Sequence, residues 1–394
     1  MNGGHESRTM RDRSEVIVVG GSAAGFSTAT HLANGGKAVR VLESRPDLDP
    51  VSRTLIVTAH FRGQVNGAGS ASIVNEIRRL ELFTDGRSAT ISLKRPDLII
   101  ERSRLIRALR AEAEAAGARI EYNTRFLGLA PNGSGLRVEA DRAGRRVELH
   151  ARSLVGADGA VSRVARAAGW PPVETVPLVQ ALVRLPKDCP ADTTRIWFIP
   201  DDTPYFYWLI PESPERAALG VIGEQGRDTK RAFDRFLEKK GFEPLEWQGA
   251  RIPVYRQWVP IQRSVGNGEV YLVGDAAAQV KVTTVGGIVT GLRGARGVAD
   301  AILGNSRSEL RALRRELATH WLIRRALHYF GQEEYRQLVD ILNVSTQESL
   351  GEINRDEATR LLWNVVRRQP RLVLLGLRGL LLGRRYRDLQ TSGD

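Results

Sequence analysis

The stretch "EVIVVGGSAAGFSTATHLANGG", Glu15–Gly36, limits the possible folds more than any other part of the chain. Glu15–Val19 reads as a strand, because its unbroken apolar run suits a parallel strand buried on both faces. Gly20–Gly25 forms a turn, Phe26–Ala33 reads as a helix, and Gly35-Gly36 ends it. "AVRVLE", Ala38–Glu43, supplies a second strand. A chain that opens as strand, glycine turn, helix and strand is building a parallel sheet covered by helices.

The turn carries chemistry as well as direction. Backbone N–H groups at a helix N-terminus, with the helix dipole behind them, favour a bound anion. Glu43 lies 23 residues beyond Gly20, at the end of the second strand. An acidic residue there can accept hydrogen bonds from ribose hydroxyls. Gly20, Ser22, Ala23, Ala24, Gly25 and Glu43 therefore read as a dinucleotide-binding set. Ser22 stands where the fingerprint has its second glycine, and its Cβ is expected to narrow the approach to a pyrophosphate. A glycine turn in some other α/β fold is the alternative reading.

Two later segments repeat the pattern of an apolar strand ending on glycine and aspartate. "SLVGADG" ends at Asp158-Gly159, and "VYLVGDAAA" runs through Gly274-Asp275 into three alanines. Between them, from about 172 to 265, the texture changes. "TRIWFIP", "PYFYWLIP" and "AALGVIGE" are short aromatic strands broken by proline, aspartate and glycine, as in an antiparallel sheet. Residues 50–95 read as irregular, and Arg102–Ala116 as a helix. From 306 onward the pattern is helical. The nucleotide domain is thus expected to be discontinuous, over 1–50, 96–170 and 265–305. A substrate domain takes 51–95 and 171–264, and a C-terminal helical domain 306–394.

The three strand ends, together with Arg102 in "IIERSRLIRAL", resemble FAD-dependent oxidoreductases of the para-hydroxybenzoate hydroxylase fold over roughly residues 14–300. Within that fold, "GDAAAQVKVTTVGGIVTGL" is similar to the geranylgeranyl reductase family, matching at Gln279, Val280, Lys281, Thr283, Thr284, Gly286, Gly287 and Ile288. Val282 stands where a proline is usual and Val285 where a glycine is usual. "FYWLIP", Phe206–Pro211, resembles the family's Tyr-x-Trp-x-Phe-Pro substrate strand.

The resemblance implies an α/β and α+β architecture: a doubly wound, Rossmann-like FAD-binding domain, an inserted antiparallel sheet and a C-terminal helical domain. It implies FAD held by the turn set with Arg102, Asp158, Gly274, Asp275, Gly286, Gly287 and Ile288. Asp275 would meet a ribityl hydroxyl, and the helix opened by Gly286-Gly287 the pyrimidine edge of the flavin. It implies reduction of carbon–carbon double bonds in an isoprenoid or lipid-like substrate by hydride from reduced flavin, with Phe206, Trp208 and Gly287 as candidate catalytic residues. For Trp208, aromatic core packing is the rival reading.

Such a reduction also needs a proton. The family often has a cysteine after the second strand, and residues 50–95 contain none. His60, Tyr205 and Tyr207 are the candidate donors, each with a structural role as the alternative. No second dinucleotide fingerprint appears, so NAD(P)H or a protein electron donor is expected to act as a transient reductant. Two rival functions remain on the same sequence. One is a flavin-dependent monooxygenase or halogenase, since "FYWLIP" also resembles the halogenase Trp-x-Trp-x-Ile-Pro strand. The other is a non-catalytic, membrane-associated lipid-binding flavoprotein.

Charge and cysteine usage set the remaining bounds. The net charge is +13, and 361–390 carry seven arginines and one aspartate among leucines. That segment suits an anionic membrane surface or a solvated bundle face. No aromatic-plus-basic nucleic-acid motif accompanies it. The single cysteine, Cys189, excludes an internal disulfide and a cysteine-rich zinc site, and no metal is expected. The polar residues 1–16 read as a loose tail without a secretory apolar segment. A cytoplasmic protein, peripheral at the inner face of the membrane, is the expectation.

Overall fold

The structure is a computed structural model that describes residues 13–47, 52–342 and 373–381. Its first sheet centres on β1 (Arg13–Val19), flanked on one side by β2 (Val39–Leu42) and β6 (Arg119–Glu121). On the other side lie β9 (Arg145–Gly156) and β16 (Gly268–Leu272), all five strands running parallel. The unbroken apolar run of β1 is buried on both faces. Val16 and Val18 enter one core cluster, and Ile17 and Val19 another. Helix α1 (Ala23–Asn34) and the helices Arg102–Ala115 and Ile288–Ile302 cover the first face. An antiparallel ladder of β7 (Thr124–Asn132) and β8 (Gly135–Arg142) continues the sheet beyond β9. Because β16, β9 and β1 are neighbours, the loops after all three open at one end of the sheet, where α/β folds bind ligands.

The second sheet is ordered β14 (Glu246–Pro253), β10 (Thr175–Arg184), β13 (Arg216–Ile222), β12 (Tyr207–Pro211), β11 (Thr193–Trp197), β4 (Ile73–Thr84), β5 (Arg87–Glu101) and β3 (Thr54–Val57). It is antiparallel except at the β11–β4 pair. One face packs on the helix Thr229–Lys240 through Tyr207, Leu209, Phe233 and Phe236.

The reading of 50–95 as irregular is overturned, because this region holds the two longest strands of the second sheet. They form a hairpin turning at Asp85-Gly86, where both residues have positive φ, as an Asp-Gly hairpin turn requires. The polar residues that mask the strand pattern are paired across the sheet. Arg79 meets Asp192 at 2.8 Å, and Glu81 meets Arg195 at 2.9 Å.

C-terminal to the sheets lie the helices Ser308–Leu327 and Gln332–Ile341, and a further helix at 373–381. Most of the arginine-rich 361–390 segment lies outside the described residues. No helix among the described residues is long and apolar enough to cross a membrane.

Candidate functional site

A cavity of about 620 Å³ lies where the loop ends of the first sheet face the second sheet. That is the size of a cofactor or drug-sized ligand site, roughly 300–1,000 Å³. Its two ends differ in chemistry. One is built from Gly20–Ala24, Glu43, Arg102, Asp158 and Asp275, the other from Leu178, Ile196, Phe206, Trp208, Ile210 and Ile222.

The polar end begins at the turn after β1. Gly20 has φ +108°, and a Cβ there would stand 2.5 Å from the Ala157 carbonyl, so only glycine lets the ends of β1 and β9 approach. Gly21 N–H donates to Glu43 Oε2 at 2.7 Å, which ties the turn to the end of β2. Ser22 lines the cavity, so its Cβ stays at the cradle while its hydroxyl is used elsewhere. Its hydroxyl turns back, donating to the Ala157 carbonyl at 3.0 Å and accepting from Gly25 N–H at 3.1 Å, and so caps α1. Ala23 and Ala24 keep the first helical turn low. Gly25 does not line the cavity. A Cβ there would fall 2.1 Å from the Gly20 carbonyl, so this glycine packs the helix onto its own turn.

Asp158 lines the cavity, but its carboxylate accepts from Ser162 Oγ at 2.5 Å and from Arg163 N–H at 2.7 Å, capping the short helix Arg163–Ala167. Asp275 follows β16 and faces two arginines. Burial holds its carboxyl above the ordinary aspartate value, opposed by Arg53 and Arg102. Burial, reinforced by repulsion from Arg53 and Arg45, lowers Arg102 to about 10. A small-residue floor at a helix N-terminus, an acidic strand end and flanking arginines together fit the pyrophosphate and ribose of a dinucleotide.

Gly287 begins the helix Ile288–Ile302 with no side-chain cap, leaving its first N–H groups at the cavity. Gly286 and Ile288 line the wall beside it. The preceding loop is closed by Lys281 N–H donating to the Gly286 carbonyl at 3.1 Å. Within it, Val285 sits at φ +54°, a region that disfavours a β-branched residue.

At the apolar end, Phe206, Trp208 and Ile210 point into the cavity because alternate residues of a strand share a face. The same alternation carries Tyr207 to the far side of the sheet, where its hydroxyl meets Asp202 at 3.0 Å. Tyr205 packs under Arg324, and neither it nor His60 lines the cavity. The three candidate proton donors are therefore off the site. Sequence reasoning did not single out Arg53, Gln180 or Glu101. The Glu101 carboxylate accepts from Arg53 N–H at 3.2 Å and from Ser103 N–H at 3.0 Å, so it fixes the segments that bear Arg53 and Arg102 together. An acidic residue directly before a helical pattern was the available signal for Glu101. Arg53 had no local signal.

This fold and cavity define an FAD-dependent oxidoreductase, and a family model described as "FAD binding domain" matches residues 13–307. A digeranylgeranylglycerophospholipid reductase of Methanothrix thermoacetophila is 30% identical over 74% of this chain and 78% of its own length. The chain belongs to the geranylgeranyl reductase family of FAD-dependent oxidoreductases. Among solved structures, a geranylgeranyl bacteriochlorophyll reductase-like protein from Thermoplasma acidophilum superposes with TM-score 0.77 at 19% identity, covering 92% of this chain and 98% of that one. The fold is shared more widely. The flavin-dependent halogenase CmlS gives TM-score 0.62 at 15% identity, covering 91% of this chain and 71% of its own.

Proposed function

We propose that the protein reduces carbon–carbon double bonds of an isoprenoid or lipid-like substrate lying in the apolar end of the cavity. The observation that carries this reading is the division of one cavity into a dinucleotide-shaped polar end and an apolar sheet face. FAD bound at the polar end would supply hydride chemistry, with NAD(P)H or a protein donor as its reductant. The chain's own residues do the rest. Gly20, Gly21, Ser22, Ala23, Ala24 and Glu43 form the cradle, with Gly25 behind it. Arg102 and Arg53 balance Asp275 at the loop after β16. Asp158 shapes the adjoining wall, and Gly274, Gly286, Gly287 and Ile288 line the part of the cavity that would hold the flavin ring. Phe206 and Trp208 exclude water and orient the chain to be reduced.

The proton is assigned to Lys281. It lines the cavity while being only 5% exposed, and its Nζ lies 3.8 Å from the position of a Cβ on Gly286. An ammonium group in this position can serve as a general acid. The division into a nucleotide domain at 1–50, 96–170 and 265–305, a substrate domain at 51–95 and 171–264 and a helical domain at 306–394 remains part of this proposal. The basic C-terminal segment remains a proposed contact with an anionic membrane that holds such lipids.

The test is anaerobic. Protein with chemically reduced flavin is mixed with a geranylgeranyl lipid, and reoxidation is followed by absorbance. Reoxidation without oxygen supports the reading. Reoxidation only on admission of air, with oxygen or halogen appearing in the product, moves the protein to the monooxygenase or halogenase reading, which the likeness of fold to CmlS keeps in view. Lipid binding that is equal with either flavin state and gives no turnover supports the lipid-carrier reading.

A further inference from the structure

We propose that Gln180 and Gly220 are positioning residues that hold the Trp208 indole flat across the second sheet, making it the platform against which the unsaturated chain lies. The proposal rests on the reading of the apolar end as the lipid site.

Register makes the arrangement possible. On adjacent strands β10, β13 and β12, Gln180 pairs with Gly220, and Gly220 pairs with Trp208. Neighbouring strands lie about 4.8 Å apart, so Gln180 and Trp208 stand roughly 10 Å apart across the middle strand. A side chain reaches over that span only by lying along the sheet. The indole does so, and its Nε1–H donates to Gln180 Oε1 at 3.2 Å. Gly220 is the residue beneath the ring. A Cβ there would stand 2.4 Å from Trp208 Cζ2 and 2.6 Å from Cε2, so any side chain at 220 lifts the ring.

Gln180 is itself fixed. It is 2% exposed, and its amide nitrogen donates to Gln248 Oε1 at 2.9 Å and to the Thr54 carbonyl at 3.4 Å. With both donors directed there, its oxygen must face the indole. Gln248 is the residue paired with Gln180 on β14 and is held in turn by Glu246 at 3.2 Å. A polar row from Gln248 through Gln180 thus runs across β14 and β10 and ends on the Trp208 indole, which shares the apolar end of the cavity with Phe206. A buried polar row of this kind adds little net stability but fixes a geometry. A flat plate in fixed pose suits a planar, unsaturated hydrocarbon chain better than a flexible saturated one.

Two measurements test this on the FAD-loaded protein. The first needs no lipid, and uses a core variant only to assign the signal. Hydrogen exchange at the Trp208 indole N–H, assigned by its loss in Trp208→Phe, is compared with that of the exposed Trp247 in the same spectrum. The expected result is exchange slowed on the order of a hundred-fold at Trp208. Equal exchange would overturn the hydrogen-bonded pose. The second is a double-mutant cycle for geranylgeraniol binding, read from the flavin difference spectrum. Gln180→Met is expected to weaken binding about five-fold, one ordinary hydrogen bond's equivalent, and to have no effect when Trp208 is already phenylalanine. Gly220→Ala, which leaves the Gln180–Gln248 hydrogen bond intact but lifts the ring, is expected to reproduce the loss. Additive effects of Gln180→Met and Trp208→Phe would put Gln180 on the ligand directly and overturn the positioning role. If geranylgeraniol leaves the wild-type flavin spectrum unchanged, the lipid reading of the cavity fails, while the exchange result still decides the pose.

Discussion

Asp275, Arg53 and Arg102 meet through a residue that touches none of the chemistry. Glu101 caps the helix Arg102–Ala115 and accepts from Ser52 Oγ at 3.0 Å as well as from the Arg53 backbone. Burial opposes its ionised form, but hydrogen bonds from Ser103 and Arg104 outweigh this and hold its carboxyl below the ordinary glutamate value. Glu101→Ala is expected to cost about 1 kcal/mol, as the loss of a helix cap does, and to loosen FAD binding by freeing Arg53. The pH dependence has a definite sign. A carboxyl with a depressed folded pKa adds stability above its unfolded value and loses it as pH falls through the folded value. The gap in melting temperature between wild type and Glu101→Gln should therefore be widest near neutral pH, narrow as pH falls past the ordinary glutamate value and close once pH has fallen through the depressed folded value. Lys281→Met is expected to leave the flavin spectrum intact and to cut turnover by about 10²-fold or more, as loss of a general acid does. Unchanged single-turnover rates would remove Lys281 from proton transfer. The glycine turn and Glu43 were legible in the sequence because both lie on local patterns. Arg53 was not, because it reaches Asp275 only through the folded chain.

Elements with a strong period were readable, and those whose polar face is used by neighbouring strands were not. β1 and α1 announced themselves through an unbroken apolar run and a glycine turn. β4 and β5 did not, because Arg79 and Glu81 are charged residues within a strand, paired across to Asp192 and Arg195. Their Asp85-Gly86 turn was the overlooked signal. The loop from Lys281 to Gly286 carries its own strain at Val285, where φ is +54°. A left-handed β-branched residue stores about 1–3 kcal/mol. A glycine there gives up roughly 0.5–1 kcal/mol in chain entropy, so relief wins. Val285→Gly is expected to raise the melting temperature while leaving FAD bound. A lowered melting temperature would mean that the valine packing against the apolar end outweighs the backbone strain.

At the scale of the whole molecule, the two sheets divide the labour. The first brings the ends of β1, β9 and β16 side by side, and the second turns an apolar face toward them. The sequence showed three glycine-marked strand ends and an aromatic strand segment. It could not show that alternation carries Tyr207 away from the cavity while Phe206 and Trp208 enter it, because that depends on which face the sheet presents. The proposed membrane contact belongs largely to residues outside those described, and co-sedimentation of the full chain with anionic liposomes at low salt tests it. Product mass decides whether the protein reduces double bonds. FAD-loaded protein, reduced without oxygen, is given a digeranylgeranyl glycerolipid, and the lipid is examined by mass spectrometry. The expected result is a gain of two hydrogens for each double bond reduced, lost in an Asp275→Ala variant that no longer holds FAD. An unchanged lipid with FAD bound and reduced, followed by a gain of oxygen or halogen once air and halide are admitted, would contradict it.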